Sequence, residues 1–396
     1  MTDSSAAPAL SAAQAQAAGA LLAGARGERA EVRAAEAIAD RHDVFRLHVG
    51  ADRSVVLKRR ADHDRGGGGR SFGAELAALE YLNAMPEPVA PRLLGADPDV
   101  GILLMEDLGR GASLADSLLG TERARAEADL IAYARALGAL HAWSIGRSGE
   151  LADLRARYAP RAAMRPEWMG AIEVGQAAFL SVAATLGLVI DGVREEIDGL
   201  EAMLSGTGYL GLVHGDACPD NVRIVGGGCR IFDFEASGWG PIVLDAAYLL
   251  APFPSCWCFA PLPAEAAAPA VAAYRARVET AGIRLGADWD AATAAAQIGW
   301  IIARGRAVGR VLKEDRDWGT TAMRPRLLTW LRNFIDTAGR AGVLPRLHAL
   351  ARALYEQLSL RWPGTVIPDF PALGRPGSAL VQVPDWWQPI SESASD

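Results

Sequence analysis

One short segment of the chain concentrates polar residues whose types and spacing could carry out chemistry. Residues 212–240 read LVHGDACPDNVRIVGGGCRIFDFEASGWG, with two short apolar runs that each lead into a polar cluster. The polar side chains after these runs are His214, Asp216, Asn221, Asp233 and Glu235. Carboxylate and amide oxygens are hard ligands of the kind that Mg²⁺ prefers. A carboxylate beside a hydroxyl can also act as a base, so the segment indicates metal-assisted acid–base chemistry.

The order of the two clusters favours phosphoryl transfer, which needs metal ligands and a carboxylate near the acceptor hydroxyl. Asp216 follows a buried-strand pattern and precedes a proline-containing loop, so we expect it to be the base. Asn221 and Asp233 are the expected ligands of Mg²⁺. We expect His214 to be a structural hydrogen-bonding residue. Either cluster alone would be typical of a turn or a strand end, whereas the ordered pair favours catalysis.

Lysine is scarce in this chain, which makes each lysine informative. Lys and Arg together number 40, and Lys occurs only at positions 58 and 313, which leaves 38 Arg. A chain that uses arginine wherever a generic cation is sufficient indicates that Lys58 is kept for lysine chemistry, because the two side chains are not interchangeable. The alternative is that Lys58 is an ordinary surface cation.

The overall charge and composition exclude some classes of function. The chain has 396 residues, of which 51% are hydrophobic and 22% charged, and its formal net charge is −7. Nucleic-acid binding needs a basic surface, so no nucleic-acid partner is expected. The first residues lack the basic and apolar regions of a signal peptide, and no apolar run reaches about 18 residues. We therefore expect a cytoplasmic protein without a membrane span.

The pattern of apolar residues predicts an α+β protein with two lobes. Residues 1–30 are an Ala-rich extension with helical spacing. Residues 31–108 contain short alternating strands and one helix opened by Ser71, which predicts a nucleotide-binding lobe. Residues 109–396 are mostly helical with a few strands, which predicts a catalytic and substrate-binding lobe. The glycine run at 66–69 predicts a flexible connector, and a cleft between such lobes is a natural nucleotide site.

These motifs resemble those of a known superfamily. HGDACPDN followed by IFDFE is similar to the catalytic and metal-binding segments of the aminoglycoside phosphotransferase and choline kinase-like superfamily, which is related to the protein kinases. The resemblance extends over roughly residues 31–250. It implies a bilobal protein kinase-like fold and the ATP- or GTP-dependent phosphorylation of a small molecule with Mg²⁺.

Two segments of the first lobe carry the resemblance further. SVVLKRR resembles the lysine strand of the superfamily, which places Lys58 on the donor phosphates. FGAELAALEYL resembles the helix that follows, which makes Glu75 the ion-pair partner of Lys58. The loop ADRHDVFR between the first two strands has no glycine, so it departs from the glycine-rich nucleotide loop of protein kinases.

The resemblance also implies roles for residues of the expected hinge and of the second lobe. GILLMEDLG resembles the hinge, where backbone groups of Glu106, Asp107 and Leu108 meet the nucleotide base. PIVLDAAYLL resembles a later segment in which Asp245 braces the catalytic loop. Glu235 of the Asp-Phe-Glu segment is a second metal contact, a substrate contact, or neither.

The cysteines and tryptophans leave alternatives open. Cys256 and Cys258 could bind zinc, but such a pair needs two more ligands, and Cys218 and Cys229 lack the paired spacing. We therefore expect buried thiols beside Trp257. An aromatic pocket for a cationic or sugar ligand is one interpretation of five tryptophans, and packing in the core is the other. These are Trp257, Trp300, Trp330, Trp386 and Trp387.

The sequence thus predicts a small-molecule kinase, with an aminoglycoside or amino-sugar as the favoured acceptor. A neutral sugar, a choline-like amine, a biosynthetic intermediate or a peptide Ser/Thr are alternative acceptors, because the fold does not fix the acceptor. A non-catalytic kinase-like binding module is the competing class. The presence of Lys58, Glu75, Asp216, Asn221 and Asp233 together argues against that class.

Overall fold

A computed structural model describes residues 10–26, 32–38, 43–50, 53–61, 71–206, 208–251 and 253–387. The glycine run at 66–69 and residues 39–42 of the expected nucleotide loop lie outside the described residues. The chain divides into two compact units. The first unit comprises Met1–Gly109, Gly149–Met164 and Phe232–Ser237, and the second comprises Arg110–Ser148, Arg165–Ile231 and Gly238–Asp396. The expected domain boundaries after residues 30 and 108 stay a prediction.

The regular elements follow in chain order. The strands are β1 (Val32–Ala37), β2 (Val44–Val49), β3 (Arg53–Arg59), β4 (Leu93–Asp97), β5 (Ile102–Glu106), β6 (Leu210–Val213), β7 (Val222–Val225), β8 (Gly228–Ile231) and β9 (Gly238–Pro241). The helices are α1 (Ala12–Arg26), α2 (Phe72–Leu82), α3 (Leu114–Leu119), α4 (Arg123–Ser144), α5 (Ser148–Tyr158), α6 (Glu167–Thr185), α7 (Val193–Asp198), α8 (Leu200–Ser205), α9 (Val243–Ala246), α10 (Ala264–Glu279), α11 (Ala287–Ala303), α12 (Gly305–Val311), α13 (Met323–Ala341) and α14 (Pro345–Arg361).

The first unit is built on a five-stranded antiparallel sheet in the order β1-β2-β3-β5-β4. Alternate residues of β2 and β3 point to one face, since successive side chains of a strand lie on opposite faces. Leu47, Leu57 and Leu104 on that face are fully buried, and Ala18 and Leu22 of α1 pack against them. The antiparallel strands expected from this part of the sequence are therefore confirmed.

Helix α2 begins where the sequence predicts. The Ser71 side chain accepts a hydrogen bond from the Ala74 N–H at 3.0 Å, which satisfies one of the free donors of the first turn. Gly73 allows close packing, because a Cβ at this position would overlap the carbonyl group of Tyr158 at the end of α5. The helix is buried on most sides, and it carries Glu75 into the interior of the first unit.

The second unit is mainly helical. Its strands form two short antiparallel pairs, β6 with β9 and β7 with β8. Helices α4 and α10 approach closely at Gly138, where a Cβ would lie 2.9 Å from the Tyr274 carbonyl oxygen. The mixture of an antiparallel sheet with a larger helical part confirms the predicted α+β class. Within the described residues, no helix combines the length and apolar character needed to cross a bilayer.

Candidate active site

Lys58 lies at the centre of an ionic cluster in the first unit. Its strand, β3, is hydrogen-bonded on both sides, with Lys58 opposite Val44 of β2 and Leu103 of β5. The Lys58 ammonium lies 2.6 Å from the Glu75 carboxylate. It also donates to Asp233 Oδ1 at 2.6 Å, and Glu235 Oε2 lies 3.5 Å away. These four side chains form the Lys58 cluster.

Burial and opposite charge set the protonation of this cluster. Burial alone would lower the pKa of Lys58, but the carboxylates of Glu75, Asp233 and Glu235 outweigh it and raise that pKa above the ordinary value. Desolvation raises the pKa of Glu75, whose side chain is 1% exposed, and the Lys58 ammonium opposes that rise. Lys58 is therefore firmly cationic and remains available to bind anionic oxygens.

The Lys58 cluster has the composition of a cation site. Glu75, Asp233 and Glu235 can each offer one carboxylate oxygen, and these oxygens lie within 4.8 Å of one another. Three carboxylates face a single ammonium, so negative charge is in excess where hard oxygen ligands converge. This donor set suits Mg²⁺, which prefers carboxylate oxygens and retains some of its waters.

Backbone geometry directs Asp233 toward this cluster. Asp233 has φ 70° and ψ 56°, a left-handed conformation that non-glycine residues seldom adopt. A short 3₁₀ helix, Phe234–Ala236, follows it. The Ser71 N–H donates to the Glu235 carbonyl oxygen at 2.9 Å, which joins this segment to the start of α2. Such conformations cost energy and are found more often at functional sites than elsewhere.

The segment after β5 contains a second buried ion pair of the first unit. Asp107 accepts hydrogen bonds from Arg46 Nε at 2.5 Å, from Ser54 Oγ at 2.5 Å and from the Gly109 N–H at 2.9 Å. Burial would raise the pKa of Asp107, but these donors outweigh it and lower the pKa to about 2. The Asp107 carboxylate is thus engaged by donors within the first unit.

In the second unit, Asp216 lies in a loop whose backbone is held by Asp245. Asp245 Oδ2 accepts from the His214 N–H at 2.6 Å, and Oδ1 accepts from the Gly215 N–H at 3.0 Å. His214 is fully buried, and its Nδ1 accepts from the Asp216 N–H at 3.2 Å. Gly215 has φ +80°, a conformation that favours glycine and explains the residue between His and Asp.

Two residues of α4 also hold this loop, and the sequence does not indicate their individual contacts. The Nε2 atom of His141, on α4, lies 3.3 Å from Asp245 Oδ2. The Nδ1 atom of the same ring lies 2.8 Å from the Tyr274 hydroxyl. Tyr133, also on α4, donates to the carbonyl oxygen of Ala217 at 2.8 Å. Both side chains are fully buried. Helical periodicity assigns them to the core, and only the fold brings them to the loop.

Asn221 has a free oxygen in a suitable place for a metal ligand. Its Nδ2 donates to the backbone carbonyl of Asp216 at 3.0 Å, which fixes the amide. Its Oδ1 is buried and has no hydrogen-bond partner within the part of the chain that the structure describes. An unsatisfied buried oxygen is costly, and an amide oxygen is a hard ligand of the kind that Mg²⁺ accepts.

The expectation of buried thiols is wrong for Cys256, which forms a disulfide with Cys218. The fold brings these two residues together although they are 38 positions apart in the sequence. Cys229 and Cys258 are buried free thiols, as expected of core residues. A zinc site that includes Cys256 is therefore excluded while the disulfide is intact.

The five tryptophans fall into separate groups. Trp257 contacts Trp386 and Trp387, with ring centroids 4.7 and 4.6 Å apart. Trp300 stacks on Trp168, and Trp330 packs against Phe259. Trp300 and Trp330 are buried, in agreement with the core interpretation, whereas Trp386 is 59% exposed.

The sequence-predicted residues thus assemble within each unit. In the first unit the structure brings together Lys58, Glu75, Asp233 and Glu235. In the second unit it brings together His214, Asp216, Asn221 and Asp245. Glu106, Asp107 and Leu108 lie at the end of β5 and in the segment that follows it, as expected.

The chain resembles several solved structures in its fold. A protein of Ralstonia eutropha provisionally assigned as an aminoglycoside phosphotransferase is 16% identical, with 87% of this chain and 98% of that chain covered and a TM-score of 0.51. A choline kinase of Cryptosporidium parvum is 14% identical, with coverage of 83% and 90% and a TM-score of 0.45. A macrolide 2′-phosphotransferase of Brachybacterium faecium is 15% identical, with coverage of 84% and 96% and a TM-score of 0.44. No curated protein matches the chain in sequence.

The fold is therefore of the protein kinase-like type, as the motifs predict. The model of the phosphotransferase enzyme family (APH) matches residues 8–294, and the chain belongs to that family. The resemblance found in the sequence is confirmed. The predicted enzyme, a small-molecule kinase, is confirmed at the level of its class, since the chain is a phosphotransferase.

Proposed function

We propose that this phosphotransferase transfers the terminal phosphoryl group of ATP or GTP, with Mg²⁺, to a hydroxyl group of a small molecule. The observation that carries this proposal is the Lys58 ammonium held between Glu75 and Asp233. A fixed cation beside converging carboxylate oxygens is what a magnesium nucleotide requires, because the donor phosphates and the metal need opposite charges side by side.

On the donor side, Lys58 binds the donor phosphates and Glu75 positions its ammonium. Asn221 and Asp233 hold Mg²⁺, which neutralises charge on the phosphates when it is bound. Glu235 provides a second contact to the metal or to the acceptor. The free amide oxygen of Asn221 and the excess of carboxylates around Lys58 support these roles.

The nucleotide base meets the backbone groups of Glu106, Asp107 and Leu108. The side chain of Asp107 is held by Arg46 and Ser54, so the backbone beside it is rigid before a ligand arrives. Preorganised backbone groups bind a planar base at a lower entropic cost than mobile ones.

On the acceptor side, Asp216 orients the hydroxyl and accepts its proton as the new O–P bond forms and the bond from the terminal phosphorus to the leaving nucleoside diphosphate breaks. Asp245 accepts from the N–H groups of His214 and Gly215, and His214 accepts from the Asp216 N–H, so the loop is held through its backbone. This leaves the carboxylate, rather than the imidazole, as the base, since the His214 ring is fully buried.

The acceptor that we favour is an aminoglycoside or another amino-sugar. The net charge of −7 suits a cationic acceptor, because acidic surface raises the local concentration of cations. A neutral sugar, a choline-like amine, a biosynthetic intermediate and a peptide Ser/Thr are the other acceptors to be compared. A non-catalytic binding module would not need an unsatisfied Asn221 oxygen and a base loop held from both sides.

The decisive experiment measures phosphoryl transfer by the wild-type chain and by Asp216→Asn with Mg²⁺, using a panel of aminoglycosides, amino-sugars, sugars and choline analogues. We expect acceptor-dependent nucleotide consumption that falls by roughly 10²- to 10⁴-fold in Asp216→Asn, because the base is lost. Nucleotide affinity should be retained. Asp198→Asn, on the exposed side of α7, is the matched control. Near-wild-type turnover in Asp216→Asn would refute the assignment.

A further inference from the structure

A serine outside the family motifs contacts the Asp216 carboxylate directly. Ser255 Oγ donates to Asp216 Oδ1 at 2.6 Å, and the Tyr248 hydroxyl lies 2.6 Å from the same Oγ. An ionised carboxylate can only accept hydrogen bonds, so the Ser255 proton is committed to Asp216. The Ser255 oxygen must then accept the proton of Tyr248. The three side chains form one ordered series, from Tyr248 through Ser255 to Asp216.

Tyr248 is suited to the start of this series because it stays protonated. Its side chain is fully buried, and burial raises its pKa well above the ordinary value. Its ring packs edge-on against Trp300 and Phe253, which fixes the direction of the hydroxyl. A rigid donor at one end gives the hydroxyl of Ser255 a single favourable orientation.

The segment that carries Ser255 is itself fastened immediately after that residue. Cys256 is bonded to Cys218, two positions after Asp216. Arg326 of α13 donates to the Cys256 carbonyl at 2.7 Å and to the Trp257 carbonyl at 2.8 Å. Arg326 is fully buried and lies beyond residues 8–294, the part that matches the family.

The base loop and the Ser255 segment also meet through their side chains. The Trp257 indole donates to Asp220 Oδ2 at 2.9 Å, four positions after Asp216. Separation of Ser255 from Asp216 is therefore opposed by the disulfide and by several hydrogen bonds. Several contacts that hold one side chain are expected where its position must be fixed to within a fraction of an ångström.

We propose that Ser255 and Tyr248 are positioning residues that fix the rotation of the Asp216 carboxylate for the acceptor hydroxyl. This inference rests on the proposed role of Asp216 as the base. A carboxylate is free to rotate about its Cβ–Cγ bond, and a misplaced base loses near-attack geometry. The Ser255 hydrogen bond holds Oδ1 and so determines where the second oxygen points.

The test compares Ser255→Ala, Ser255→Thr and Tyr248→Phe with wild type in the phosphoryl-transfer assay. We expect kcat to fall about 10- to 100-fold in Ser255→Ala, a loss typical of a misplaced catalytic group, with KM for the nucleotide unchanged. Tyr248→Phe should lose less, because Ser255 still reaches Asp216. Ser255→Thr should recover turnover, since it restores the hydroxyl.

A double variant distinguishes positioning from a structural role. If Ser255 acts through Asp216, adding Ser255→Ala to Asp216→Asn should cause no further loss of kcat. Thr293→Val is the control, because it removes a buried hydroxyl that bonds only within α11. Wild-type kcat in Ser255→Ala, or additive losses in the double variant, would overturn the inference. Wild-type kcat in Asp216→Asn would instead overturn the proposed function.

Discussion

Two buried ion pairs of the first unit differ in what surrounds their carboxylates. Asp107 has three donors and a lowered pKa, whereas Glu75 depends on Lys58 and has a raised pKa. A satisfied carboxylate stabilises the folded state, because its charge is better solvated there than in the unfolded chain. A carboxylate short of donors is instead poised to respond to a ligand. The first pair is therefore structural, and the second is suited to a binding site.

Replacing Asp107 by Asn should destabilise the first unit in a pH-dependent way. The pKa of Asp107 is about 2 in the folded state against an ordinary 3.8. Its contribution is thus fully present above pH 3.8 and is lost as the pH falls toward 2. With allowance for solvent screening around this carboxylate, its contribution to the free energy of unfolding is about 1 kcal/mol. Denaturant unfolding between pH 7 and pH 2 should show that difference shrink on acidification.

The exposed Asp99→Asn, in the turn between β4 and β5, is the control for this measurement. It should unfold like wild type at every pH. A difference between Asp107→Asn and wild type that stays constant down to pH 2 would contradict the expected titration.

At the scale of the elements, features that depend on residues adjacent in the sequence could be predicted. Features that depend on contacts between residues distant in the sequence could not. The alternation of β2 and β3 and the Ser71 cap depend on neighbouring residues, so they are predicted and found. The contact of Ser255 with Asp216 depends on two loops 39 positions apart meeting through the fold. Neither the periodicity of apolar residues nor any motif predicts a contact between these two loops. The pairing of Cys218 with Cys256 is hidden for the same reason.

The disulfide gives an element-scale prediction about stability. It closes a loop with a sequence separation of 38, for which the chain-entropy relation gives roughly 4 kcal/mol. We expect reduction to lower the free energy of unfolding by about 2–4 kcal/mol, measured by denaturant titration of the oxidised and reduced chain.

Thiol counting under denaturing conditions tests the disulfide itself. Of the four cysteines, two should react before reduction and all four after it. The variant with both Cys218→Ser and Cys256→Ser should show no effect of reductant on stability. Four reactive thiols in the oxidised chain would contradict the pairing.

At the scale of the whole molecule, the contacts that support the proposed base extend beyond the residues that match the family. The family model ends at residue 294, within α11, while α13 and α14 follow it. Arg326 of α13 nevertheless holds the segment beside Ser255. Helix α13 is therefore part of the support of the proposed base, and truncation after residue 294 would remove that support.

Net charge gives a whole-molecule prediction about the acceptor. The chain carries a formal charge of −7, and attraction between exposed charges is screened by salt. If the acceptor is a polycationic amino-sugar, its KM should rise several-fold when the salt concentration rises from about 0.05 to 0.5 M, because screening weakens the attraction. The KM of a neutral sugar should not change. Steady-state assays at both salt concentrations measure this, and a salt-independent KM for a polycation would count against electrostatic attraction.

The scarcity of lysine has a practical consequence for covalent footprinting. Lys58 is 14% exposed and surrounded by carboxylates, whereas Lys313 lies in the open after α12. An acyl-phosphate derivative of a nucleotide would meet only these two ε-amino groups. Acylation at position 58 that free nucleotide suppresses, with position 313 as the internal standard, would locate the donor by mass spectrometry without any knowledge of the acceptor.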